Sequence, residues 1–112
     1  MEEEKIIVPD LSTFIYPQEE VVFIGALVAK KWGKNKDIIC YIYDSENDIG
    51  YRLHAYWKPE LEKSYMIGKS SVRATELELG SVLMCTCGYT RTRKVAWRGC
   101  KVLGVMDDYE TR

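Results

Sequence analysis

The sequence predicts a small, mainly β domain of five strands. Three observations carry that reading. β-branched and aromatic runs recur along the chain, at VVFIGALVAKK, DIICYIY, YRLHAYW and SVLMCTC. Short clusters of Gly, Asn and Asp separate them, and such clusters supply the backbone angles of tight turns. At 112 residues the chain is long enough for one domain with one modest core.

The first twenty residues contain Pro9 and Pro17 and show no sustained period. They are expected to form an irregular N-terminal arm, with Lys5 to Val8 as a short edge strand. A single β-barrel domain is expected over residues 21–106. The first strand runs from Val21 to Lys31, and Gly25 inside it marks a bulge or sharp bend. Trp32-Gly33-Lys34-Asn35-Lys36 is a turn, and Asp37 to Tyr43 returns as the second strand, making a hairpin. Asp44 to Gly50 is a second turn. Tyr51 to Trp57 then alternates, with Tyr51, Leu53, Ala55 and Trp57 on one face and Arg52, His54 and Tyr56 on the other.

Lys58 to Gly68 differs in character. Pro59 suits a first helical turn, Glu60 and Glu62 complement its positive end, and Gly68 can close it. A short helical connection is therefore expected between the third and fourth strands, followed by an irregular or strand-like stretch to Leu79. Ser81 to Cys87 is the fourth strand. Arg91 to Val105 is the fifth, with Gly99 as a bulge. Residues 107–112 form an acidic tail.

This order, with a glycine in a long first strand, resembles the layout of the OB-fold, a five-stranded Greek-key barrel. The resemblance is one of layout; no family motif accompanies it. An SH3-like barrel would use similar strands without the 58–68 segment. An OB-like barrel implies a binding geometry. Oligonucleotides lie across the second and third strands, between the first-to-second and fourth-to-fifth loops.

Charge agrees with that geometry. Net charge is −1, but from Ser81 to Met106 there is no Asp or Glu, and Arg91, Arg93, Lys94, Arg98 and Lys101 stand there with Tyr89 and Trp97. Lys34 and Lys36 make the first-to-second loop basic, whereas the second-to-third loop is acidic. Cations attract phosphates and release counterions, and exposed rings stack on bases. The expected nucleic-acid-binding residues are Trp32, Lys34, Lys36, Tyr41, Tyr43, Arg52, Tyr56, Tyr89, Arg91, Arg93 and Lys94. The bland alternative is that turns simply collect solvated charges and that rings serve packing.

Other chemistries have little support. Cys85 and Cys87 share a face of one strand, and Cys40 and Cys100 sit on others. One C-x-C and two singletons do not make paired zinc knuckles, so four reduced thiols are expected, with no metal and no cofactor. His54 is the single histidine, and no motif fixes a nucleophile beside it. Neither a phosphate-cradling glycine loop nor a hydrolase elbow is present. The acidic opening Met1-Glu2-Glu3-Glu4 is unlike a secretion signal, and no apolar run could cross a bilayer, so a cytoplasmic protein without membrane association is expected.

The sequence thus points to a non-enzymatic module for single-stranded nucleic acid, with DNA as the expected strand. The alternative is a small protein-interaction or regulatory domain, or a homo-oligomer, using the same Trp, Tyr and Arg surface.

Overall fold

A computed structural model of the protein describes residues 6–57 and 65–106 in full and residues 109–111 as backbone. Its strands are β1 (Ile6–Val8), β2 (Val21–Trp32), β3 (Asp37–Asp44), β4 (Ile49–Tyr56), β5 (Ser81–Tyr89), β6 (Val95–Val105) and β7 (Tyr109–Thr111). β2 to β6 form one antiparallel sheet in the order β4-β3-β2-β5-β6, and β1 pairs in parallel with β7. All five long strands fall where turn residues and β-formers put them. No helix among the described residues is long and apolar enough to cross a membrane.

The expected closed barrel is corrected to an open sheet. β4 and β6 are its two edges, and no ladder joins them among the described residues. The reason lies in hydrogen bonding. The Ile15 amide donates to the Gly50 carbonyl at 2.9 Å, and the Arg52 amide donates to the Ile15 carbonyl at 2.8 Å. The outer edge of β4 is therefore partly occupied by the N-terminal segment, and those groups have no capacity left for β6.

That segment is a packed cover, not a loose arm. Along β3, Ile38, Cys40 and Ile42 enter the main core, while Ile39, Tyr41 and Tyr43 face the other side. Period-two alternation thus gives β3 two buried faces. The main core gathers Leu27, Leu83, Cys85 and Trp97 with those β3 residues. On the opposite face Val8 and Phe14 pack over Ala26, Val28, Tyr41 and Tyr43. Phe14 lies directly on Gly50, where a Cβ would fall 2.5 Å from its ring.

The connection after β4 departs from the expected helix. Residues 58–64 lie outside the described residues. Tyr65 turns through a left-handed φ of 60°, its amide donates to the Tyr56 carbonyl at 3.3 Å, and Met66 then bridges Arg73. Tyr65 and Ile67 both enter the core, a two-residue spacing that a helix would not give. Between residue 65 and β5 the helical content is one 3-10 turn at Ala74–Glu76.

One of the two expected bulges is displaced and the other falls where Gly99 marks it. The register of β2 on β3 shifts between Leu27 and Ala29, not at Gly25. This sends Leu27 into the main core and Val28 into the second. Thr86 pairs with Gly99 but Cys87 with Trp97, so Arg98, beside Gly99, is an extra residue in β6, and a second shift between Val82 and Leu83 leaves Leu103 unpaired as well. The acidic tail contributes Tyr109–Thr111 to the pairing with β1.

Candidate nucleic-acid interface

A cleft of about 640 Å³ opens between β4 and the β5–β6 hairpin. From β4 it is lined by Arg52, Leu53, His54, Ala55 and Tyr56, so both faces of that strand contribute; from the last hairpin it is lined by Thr90, Thr92, Lys94, Trp97 and Arg98. Tyr16 closes one side, and Met66 and Gly68 lie at its base. No Asp or Glu lines it among the described residues.

Alternation along β4 puts Arg52, His54 and Tyr56 on one face. Flat groups then lie side by side in a row, with the Tyr16 and His54 planes tilted by 40°. The Arg52 guanidinium lies 4.1 Å from the Tyr16 ring centre. Tyr16 and His54 rings are 5.0 Å apart, and His54 and Tyr56 are 5.8 Å apart with planes 27° from parallel. Beneath the row, the carboxylate of buried Asp37 meets His54 Nδ1. Asp37 pairs with Tyr56 in the ladder, two residues from His54, so strand register sets this contact. A carboxylate accepts, so Nδ1 is assigned the ring proton and Nε2 is left facing elsewhere.

Three buried side-chain nitrogens have no hydrogen-bond partner among the described residues: Arg52 Nε, His54 Nε2 and Trp97 Nε1. All three residues line this cleft.

The expected binding residues divide into four groups. Arg52, Tyr56 and Lys94 line the cleft. Tyr89 and Arg91 border a neighbouring hollow that shares Thr90, Thr92 and Arg98 with it. Arg93 is exposed at the hairpin tip with φ 59°, its amide donating to the Thr90 carbonyl. Trp32, Lys34 and Lys36 are exposed on the other hairpin, but no residue from 32–36 lines the cleft. Trp32 is 69% exposed and meets Tyr65 edge-on at 5.6 Å, and Trp57 meets Tyr65 likewise at 5.5 Å. Rings thus continue from Tyr56 toward the 32–36 turn, although the two basic loops do not share one rim.

Tyr41 and Tyr43 are corrected. Each is 7% exposed and packs beneath Phe14, at ring distances of 5.6 and 6.4 Å. The Tyr43 hydroxyl donates to Asp48 at 2.6 Å. Neither ring is free to stack on a base.

Sequence reasoning missed Tyr16, His54 and Arg98 as wall residues. Arg98 stands in the acid-free run and could have been added on charge. His54 shares a strand face with Arg52 and Tyr56. Tyr16 carries no signal, because its position depends on the Ile15 edge pairing.

The four cysteines are free and buried. Burial pushes the Cys40 and Cys87 thiols up to about 12. Cys85 is raised as well, first by its hydrogen bond with Cys100 and then by burial. Such thiols stay protonated and unreactive near neutrality. No cluster of three or more His, Cys, Asp or Glu able to hold a metal ion occurs among the described residues.

No protein-family model matches the chain, and neither does any curated protein or solved structure.

Proposed function

We propose that the protein is a non-enzymatic module that binds single-stranded nucleic acid, DNA foremost, in the cleft between β4 and the β5–β6 hairpin. One observation carries this: a row of neighbouring flat groups and the cations Lys94 and Arg98 line one cleft, whose lining contains no Asp or Glu among the described residues. Tyr56, 52% exposed, is the outermost ring and the first stacking platform. A stacked base adds on the order of 1–3 kcal/mol. Lys94 and Arg98 hold phosphates at the cleft, and Arg91 and Arg93 follow the backbone past the hairpin tip. The order β4-β3-β2-β5-β6 is compatible with an OB-like layout left open between β4 and β6, and this supports a ligand held against the third strand and the last hairpin. Four free thiols fit a reducing compartment, and the cytoplasm is the one proposed.

Fluorescence anisotropy with a labelled 12-mer single strand tests the proposal. Binding is expected at low salt, with a log–log salt slope of about −3 for four phosphate contacts. Tyr56→Ala weakens it by about tenfold, and Lys94→Gln flattens the slope by about 0.7. Absence of binding at low salt overturns the reading.

A protein-interaction domain is the second reading, and one observation favours it. On the edge strand β6, Val102, Leu103 and Val105 are all exposed, and an apolar open edge is a template for another chain. A partner retained in a pull-down after nuclease treatment selects this reading.

A further inference from the structure

Four cysteines share the main core, and none of them lines the cleft. Strand register sets one pair apart. Cys85 on β5 stands directly opposite Cys100 on β6. Residues so opposed in an antiparallel ladder point to one face, with Cα atoms about 4.5–5.5 Å apart. A disulfide accepts Cα separations of about 4.4–6.8 Å. No other two cysteines are placed this way. Cys87 is opposite Trp97, and Cys40 is opposite Lys30 and Leu53. Cys85 and Cys87 share a face but stand two residues apart, about 6.8 Å along the strand, whereas bridged Cβ atoms are about 3.5–4.5 Å apart.

We infer that Cys85 and Cys100 form an oxidative modification site, in which a hydroperoxide converts the two thiols to a cross-strand disulfide. The reaction starts at Cys100. That residue keeps 8% of its surface exposed on an edge strand, while Cys85 keeps none. The Cys85 thiol donates to the Cys100 sulfur, and this hydrogen bond holds Cys100 below its ordinary value and Cys85 above it. The thiolate is the nucleophile. Cys100 sulfur attacks one peroxide oxygen: an S–O bond forms, the O–O bond breaks, and the departing oxygen takes a proton to leave as water or an alcohol. Cys85 sulfur then attacks the sulfenic sulfur of Cys100: the S–S bond forms, the S–O bond breaks, and hydroxide leaves as water with the Cys85 proton. In sum, two thiols lose two protons and two electrons, and the peroxide takes them up.

The setting of Cys100 suits closure of this bond. β6 is an edge of the sheet, so its ladder holds it from one side only. Cys100 also lies between the extra residues Arg98 and Leu103. The ladder is locally disrupted at both, which leaves the stretch between them room to draw toward β5. The bridge closes the loop that carries Lys94 and Arg98, and it does so independently of what the cleft binds. Free thiols are the resting state, and the disulfide is the state reached under peroxide.

Treatment of the folded full chain with hydrogen peroxide, followed by alkylation in denaturant, tests the inference. Two of the four thiols are expected to disappear together, and dithiothreitol to restore both. Trypsin cuts after Arg73, Arg91, Arg98 and Lys101, so the bridge should join the 74–91 peptide to the 99–101 peptide. Fragmentation between Cys85 and Cys87 then identifies the partner of Cys100. Cys87→Ser should keep the two-thiol loss, and Cys100→Ser should abolish it. Four intact thiols at a dose that fully oxidises free cysteine overturn the inference. So does a link through Cys40 or Cys87, a disulfide between two chains, or oxidation of Cys100 that stops at the sulfinic acid. The peptide map of the parent sequence needs no variant, so a folding defect cannot obscure the answer.

Discussion

Replacing Gly68 with alanine tests how the 65–73 segment is locked onto β6. Gly68 has φ +57°, in the left-handed region, where a Cβ costs about 1–2 kcal/mol. The added atom would fall 1.6 Å from the Arg98 carbonyl oxygen and 2.2 Å from its carbon. That obstruction is backbone, at the β6 bulge, and it cannot swing aside as a side chain can. The Lys69 amide also donates to this carbonyl, so displacement breaks a hydrogen bond as well. Overpacking of this kind costs about 1–3 kcal/mol. Together the two effects destabilise the fold by about 2–5 kcal/mol. Gly99→Ala is the control, because its Cβ would meet Thr86 at 3.6 Å, an ordinary contact. There the change stays within about 1 kcal/mol, favouring the folded state if strand angles are kept. Urea unfolding followed by tryptophan fluorescence reads both. If Gly68→Ala unfolds within 0.5 kcal/mol of the parent, a threshold of about the scatter of surface substitutions, the segment is not seated as described. Met66 and Gly68 form the cleft base, so the same variant should also weaken single-strand binding at temperatures where it remains folded.

Other expectations follow from the same packing. Cys40 is held at about 12 when folded against 9.0 as its ordinary value, so the folded chain keeps a proton that the unfolded chain releases. Stability is full below pH 9 and falls as pH rises toward 12, by up to about 1.4 kcal/mol per pH unit for this thiol; Cys40→Ala should lessen that slope in urea titrations between pH 8 and 10.5. Phe14→Ala empties the second core and should cost about 3–5 kcal/mol by thermal or urea unfolding. Asp44 Oδ1 accepts from the Glu46 and Asn47 amides, and Oδ2 accepts from the Asn47 side chain. Asp44→Ala should therefore cost about 1–3 kcal/mol, measured the same way.

The long strands were legible because their signals are local. β-branched and aromatic runs such as Asp37 to Tyr43 meet turn residues at both ends, and neither depends on the rest of the chain. What lay beyond reach depends on distant partners. Residues 58–68 carry helix-start chemistry, yet Tyr65 and Ile67 are buried in the main core, and burial outweighs propensity. Tyr41 and Tyr43 alternate as a solvent-facing row would. Only the cover of Val8 and Phe14 makes them interior, and nothing periodic announces that cover. The same segment takes up part of the outer edge of β4. At the site, local charge marked Lys94 and the hairpin tip. The Asp37–His54 contact and the place of Tyr16 arise from strand register and edge pairing, which no single window of sequence contains.

The union of Ile6–Val8 with Tyr109–Thr111 has a consequence for biosynthesis. A ribosome will have extruded the central meander long before it supplies β7, so β1 emerges first and waits for its neighbour almost until translation of this stretch is complete. Contacts so remote in sequence form late, after loop closure has been accomplished elsewhere. In pulse-labelled refolding, amide protons of the first strand should be the last to gain protection, well after those of β3.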